Sequence, residues 1–206
     1  MRHKMIGVTA SWMWPLSAAI CAGLAIGIGT QILQGVLPSS WGVLANSGVV
    51  WALGAFAIGM LMPSDAAAAV GGAIAMALAA LSFYWAVDWF EGISSAGRGP
   101  RLWAFAGLIA GSFFGLSGRW AQRRPELRWL AVAPVGGILA GEGAHLIWFV
   151  GVDNLWPAGV AELFVAGAVL AGCLARERRR LAVVVIFTAS FACFLIAEKI
   201  INAGFA

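Results

Sequence analysis

Residues 129–151 read WLAVAPVGGILAGEGAHLIWFVG, and Glu142 and His145 are the only ionisable side chains among them. As a helix rising 1.5 Å per residue, the stretch is about 34 Å long, enough to cross a hydrocarbon core about 30 Å thick. It follows directly on Arg119, Arg123, Arg124 and Arg128, so one end of the helix is strongly basic. A carboxylate and an imidazole within such a run are costly in lipid and normally face a protein interior or a wet cavity. This segment therefore reads as a membrane-spanning helix that carries a polar pair on its protected face.

The rest of the chain has the same character. Its 206 residues are 62% hydrophobic and 11% charged, against roughly 45–50% and about 25% in soluble domains. Seven segments are predicted to span the bilayer: 12–37, 41–62, 66–90, 102–122, 129–151, 157–175 and 181–203. Pro38-Ser39-Ser40, Pro63-Ser64-Asp65 and Gly97-Arg98-Gly99-Pro100 separate them as turn signals. Trp12, Trp14, Trp41, Trp89, Trp103, Trp120, Trp129 and Trp156 fall near span ends, as in interfacial aromatic belts. The predicted class is all-α: one membrane domain over 1–206, a polytopic bundle of about seven transmembrane helices, with three helical hairpins plus a final helix as one arrangement.

Basic residues predict the orientation. A cytoplasmic N-terminus puts Arg2, Lys4, Arg119, Arg123, Arg124, Arg128, Arg176, Arg178, Arg179 and Arg180 inside. Arg98, Arg101 and Lys199 then lie outside, which accounts for all 13 Lys and Arg. That asymmetry satisfies the positive-inside rule and predicts a multi-pass protein of the plasma (inner) membrane with its C-terminus outside. The net charge of +4 belongs to these loop arginines, so no nucleic-acid partner is expected; the partner of such a surface is the lipid bilayer. Cys21, Cys173 and Cys193 are isolated within apolar runs and read as small buried side chains. Arg2-His3-Lys4 ahead of an apolar run resembles a signal peptide, but no A-x-A site follows it, and an uncleaved first helix is expected.

The third and fifth spans share a pattern. Gly71-Gly72-Ala73-Ile74-Ala75 is similar to Gly136-Gly137-Ile138-Leu139-Ala140, and Leu81 and Asp88 match Leu146 and Asp153 at the same spacing. A duplication would explain this, and so would the ease with which Ala/Gly-rich helices match; both readings stand. Small-residue pairs such as Gly23-x-x-x-Gly27, Ala18-x-x-x-Ala22, Gly111-x-x-x-Gly115 and Gly137-x-x-x-Gly141 predict close helix packing, within the bundle or, through the first helix, against a separate membrane subunit.

Polar groups inside the spans cluster toward the predicted outer side. Gln31 and Gln34 share a face of the first helix, Asn46 lies at similar depth, and Tyr84 with Asp88 closes the third span. Glu142, Glu162 and Glu198 follow on later spans. Glu142 and His145, at i and i+3, point the same way, so the carboxylate can hold the imidazole in one tautomer or charge state. The predicted ligand-binding set is Glu142, His145, Glu162, Asn46, Gln31, Tyr84 and Asp88, with Glu142 and Glu162 supplying negative charge. Mere stitching of helices by these groups is the competing reading. A Glu-x-x-His metal site needs a second such motif, and the other histidine is His3, so no metal is expected. No Walker A, Rossmann, G-x-S-x-G or H-E-x-x-H motif is present, so no cofactor and no catalytic residue can be nominated and a non-enzymatic role is preferred.

The run Leu44-Ala45-Asn46-Ser47-Gly48 through Trp51-Ala52-Leu53-Gly54-Ala55-Phe56, with Gly59, resembles an uncharacterised family of small bacterial multi-pass membrane proteins. So do Phe83-Tyr84-Trp85, Gly115…Gly118-Arg119 and Ala140-Gly141-Glu142-Gly143. Where that family has paired tyrosines and a Gly-Pro, this chain has Phe83-Tyr84 and Gly111-Ser112. The resemblance implies a helical membrane fold and supplies no catalytic residue. A weaker similarity, at Ala18-x-x-x-Ala22, is to the substrate-capture components of energy-coupling-factor transporters, which are six-span bundles. Together these readings predict a protein that binds or transports a small polar or cationic solute through an outward-facing acidic pocket. The alternative is an accessory or assembly subunit of a membrane complex with no ligand of its own.

Overall fold

The computed structural model describes residues 3–92, 94, 97–150 and 153–205. It consists of helices α1 (His3–Val36), α2 (Ser39–Ala45), α3 (Gly48–Leu61), α4 (Asp65–Glu91), α5 (Arg98–Arg123), α6 (Arg128–Trp148), α7 (Trp156–Arg176) and α8 (Arg180–Phe205). Short 3₁₀ turns at Pro125–Leu127 and Asp153–Leu155 join the later helices. Among the described residues six stretches are long and apolar enough to cross a membrane: Trp14–Val36, Ser40–Leu61, Asp65–Glu91, Pro125–Trp148, Trp156–Arg176 and Arg180–Ile201. The chain is an integral membrane protein. The segment expected at 102–122 is the helix α5, less apolar than the others because Arg98, Arg101, Arg119 and Arg123 fall within it. The expected sites at Arg2 and the side chains of Trp12 and Asp153 lie outside the described residues.

Local chemistry fixes the helix ends. Ser64 caps α4 by accepting from the Ala67 N–H at 3.1 Å. Gly92 closes α4 in the left-handed region at φ 66°, which other residues rarely adopt. The second span was expected to be continuous over 41–62, and here the structure differs: it breaks at Asn46-Ser47 into α2 and α3. Ser47 caps α3, its Oγ accepting from the Val49 N–H, and the Asn-Ser-Gly run at 46–48 carries the turn and cap chemistry that competes with an uninterrupted helix.

Helix directions alternate through the bundle. α5 lies antiparallel along α4, Gly107 beside Met76, Gly111 against Gly72 and Gly115 against Ala68. α1 runs parallel to α4 instead, with Gly23 at Ala75 and Gly27 at Ala79 and Ser82, so the small face of the first helix is packed inside the bundle. α6 is the central helix of the second half, antiparallel to α7 and parallel to α8. The matching glycine pairs of the third and fifth spans meet different partners. Gly72 faces α5 and Gly71 faces Met62, whereas Gly136 and Gly137 face Phe187 of α8.

One end of the bundle is basic. There Asp65 gathers three donors, Arg119 Nε at 2.8 Å, Trp120 Nε1 at 3.1 Å and Arg124 Nη2 at 2.6 Å, and Arg119 also donates to the Met62 carbonyl. The clamp ties the α3–α4 turn to the end of α5. Asp65 is partly exposed, so Asp65→Ala is expected to cost only about 1–2 kcal/mol, read as a lower unfolding midpoint in mild detergent. An unchanged midpoint would show that the clamp contributes nothing.

Candidate functional site

The break in the second span creates the site. In hydrocarbon every backbone polar group needs a partner, so a broken helix is tolerated only where neighbours supply one. On the α2 side, Thr30 of α1 donates its hydroxyl to the Ala45 carbonyl at 3.0 Å and accepts from Trp51 Nε1 at 3.2 Å. On the α3 side, the Glu142 carboxylate of α6 takes the helix N-terminus. Its Oε2 accepts from Ser47 Oγ at 2.9 Å and the Val49 N–H at 3.2 Å, and its Oε1 accepts from the Gly48 N–H at 3.2 Å. An anion at a helix N-terminus meets the positive end of the helix dipole as well as free N–H groups.

Glu162 is brought in by a close approach of helices. A Cβ at Gly143 would meet the Gly159 carbonyl at 2.7 Å and Glu162 Cβ at 3.2 Å, so α6 and α7 nearly touch where Glu142 points. Glu162 is 5% exposed, beside Ser47 and within electrostatic range of Glu142. Among the described residues its Oε2 has no hydrogen-bond partner. Glu142 lies six residues before the end of α6 and Glu162 six after the start of α7, so both sit about 9 Å inside their helix ends.

His145 and Glu198 complete this end, with His145 Nε2 3.9 Å from Glu198 Oε2. The expected Glu142–His145 pairing is thus resolved differently. Sharing a helix face brings the two side chains close, but the donors at the α3 N-terminus hold the carboxylate, and the imidazole stacks on Phe149 and faces α8. Glu198 is also within electrostatic range of Glu142.

The other expected residues divide between two places. Asn46 ends α2 at the break and is exposed. Gln31 is buried and donates through Nε2 to Glu91 Oε1 of α4. Tyr84 is half-buried with its ring edge-on to Phe83, and Asp88 is exposed. Both are on α4, which packs on α1, α3 and α5, while Glu142 and Glu162 belong to α6 and α7. The acidic cluster is therefore Glu142, Glu162 and Glu198 with Ser47 and His145, and the Gln31–Glu91 contact is a separate one. Ser47 and Thr30 are site residues outside the expected set; the Asn-Ser-Gly run at 46–48 signals Ser47, and nothing in the sequence singles out Thr30. Among the described residues no group of three or more His, Cys, Asp or Glu is arranged to hold a metal ion.

A cavity of about 810 Å³ adjoins the cluster. It runs between α5 and α8 over a floor made by α3 and α6, with Trp51, Trp103, Phe114, Trp120 and Phe194 among its walls. Gly48, whose N–H binds Glu142, and Glu198 lie at its upper end, while Trp120 and Leu127 close the basic end.

No curated protein and no solved structure matches this chain. A protein-family model matches residues 7–203, nearly the whole bundle including every residue of the acidic cluster. The chain belongs to that family, a family of unknown function (DUF6518).

Proposed function

We propose that the protein binds a small cationic solute at the Glu142–Glu162 pair, as a transporter or the capture subunit of one. The supporting observation is the buried, unpartnered Oε2 of Glu162 beside a second buried carboxylate. Like charges gathered in a low dielectric repel, and a cation between them offsets both repulsion and desolvation. Discontinuous transmembrane helices whose ends meet ionic groups are a recurrent way of building transporter sites. Here the α3 N-terminus holds Glu142, and the unpartnered Oε2 of Glu162 is the oxygen left for the ligand. Glu198 and His145 line the approach from the same end.

The direction of approach follows from charge. Placing Arg119, Arg123, Arg124, Arg128 and Arg176 through Arg180 on the cytoplasmic side puts the acidic cluster toward the outside of the plasma membrane. The test is equilibrium binding of labelled methylammonium to the full-length protein in lipid nanodiscs. Saturable binding is expected, weakened at least about tenfold by Glu162→Gln, where tenfold is 1.4 kcal/mol. Absence of saturable binding, or equal affinity in the variant, would reject the site.

A further inference from the structure

The cavity between α5 and α8 carries an inference about the class of ligand. From Trp103 to Trp120 its α5 wall is about 25 Å long. The volume lies within the roughly 300–1,000 Å³ of small-molecule sites, and the lining is mostly hydrophobic and aromatic with few polar groups, as in such sites. Among the described residues that line it, Glu198 is the only charged side chain, and it stands, 3.9 Å from His145 Nε2, at the end that meets Gly48 and, through it, Glu142. Trp51, Trp103 and Phe194 line the same end, and aromatic rings are groups that attract cations. The opposite end is unfavourable to a positive charge, because the Arg124 guanidinium lies 5.3 Å from the Trp120 ring centroid.

We infer that the groove takes the apolar body of a lipophilic organic cation, with its charged head at the Glu198 end. For the sign of the charge this rests on the acidic-site reading, whose solute then becomes an amphiphile. Aromatic walls replace water around the body, and the carboxylates fix which way it lies. Entry is lateral, between α5 and α8, where Phe113 and Ile109 on one side and Ala197 on the other are exposed.

The probe is tetraphenylphosphonium, titrated into the full-length protein in nanodiscs, with neutral triphenylphosphine oxide and methylammonium as comparators. The phosphonium is expected to bind at least about tenfold tighter than the neutral oxide, and Glu198→Gln to remove that preference. Ala110→Trp and Ala189→Trp, which fill the groove from α5 and from the exposed side of α8, are each expected to abolish phosphonium binding. Methylammonium binding should survive both, and that survival also shows that the variants fold. Equal affinity for phosphonium and oxide, phosphonium binding untouched by either tryptophan, or displacement by anionic phospholipid alone would overturn the inference; the last outcome would assign the groove to a lipid chain entering from the Arg124 end. Methylammonium binding lost in Glu162→Gln, with phosphonium indifferent to the tryptophans, would sink this inference and leave the acidic site standing. Methylammonium that never binds, with phosphonium binding still dependent on Ala189 and Glu198, would sink the Glu142–Glu162 reading instead.

Discussion

Glu142→Ala is expected to destabilise the protein by about 3 kcal/mol, lowering its unfolding midpoint in a denaturing-detergent titration. The carboxylate satisfies the Ser47 hydroxyl and the N–H groups of Gly48 and Val49. Val49 keeps a bond to Ser47 Oγ, so the truncation strands the buried Ser47 hydroxyl and the half-buried Gly48 N–H at about 1–3 kcal/mol each, the second toward the lower end. Loss of the anion also removes the partner of the α3 dipole. Glu142→Gln keeps the shape and one acceptor oxygen, and its loss should be about half as large. A wild-type midpoint for Glu142→Ala would mean that the α3 N-terminus does not depend on this residue.

Gly115→Val is expected to have an effect at least as large, because every neighbour in its way is backbone. A Cβ at Gly115 would overlap the Ala68 carbonyl and approach Gly72 Cα at 3.0 Å, and a Cβ at Gly59 would in turn overlap the Gly115 carbonyl. No side chain in the way of that Cβ can rotate aside, so α4 and α5 must separate. Overpacking usually costs about 1–3 kcal/mol, and here, where backbone has to move, the upper end or beyond is expected. The readout is loss of the monodisperse peak on size exclusion together with a lower unfolding midpoint. Gly167→Ala on α7 is the matched control, since nothing lies within 4 Å of its Cβ; it should be neutral or stabilising by about 1 kcal/mol, the helix-propensity difference. Equal behaviour of the two variants would contradict the packing described for the junction.

The membrane class and the positions of the long helices were legible because they rest on hydropathy over many residues, which tolerates local error. The basic end was legible for the same reason: eight arginines between Arg119 and Arg180 bracket α6 and α7. Glu142 and Glu162 stood out as carboxylates in apolar helices, and the structure places them together. What they do locally was not legible. Whether Glu142 turns to His145 on its own helix or to Ser47 on another depends on the break in the second span, and a weak Asn-Ser-Gly signal there competes with an apolar run favouring a continuous helix. The separation of the Gln31–Glu91 contact from the acidic cluster depends on which helices are neighbours, α1 packing on α4 and α6 on α7 and α8, which depth along a helix does not encode. The apolar groove was invisible for a related reason. Apart from Glu198, its lining is indistinguishable in sequence from residues that face lipid or core.

These points converge on one arrangement, in which a helix end restrains one carboxylate and its neighbour keeps one buried oxygen, Glu162 Oε2, without a hydrogen-bond partner among the described residues. Infrared difference spectroscopy of the protein in nanodiscs, before and after addition of methylammonium, observes that neighbour directly. The expected result is a change in carboxylate stretching bands that is present in the wild type and lost in Glu162→Gln. No carboxylate change on adding the cation, or the same change in the variant, would contradict a cation site between Glu142 and Glu162.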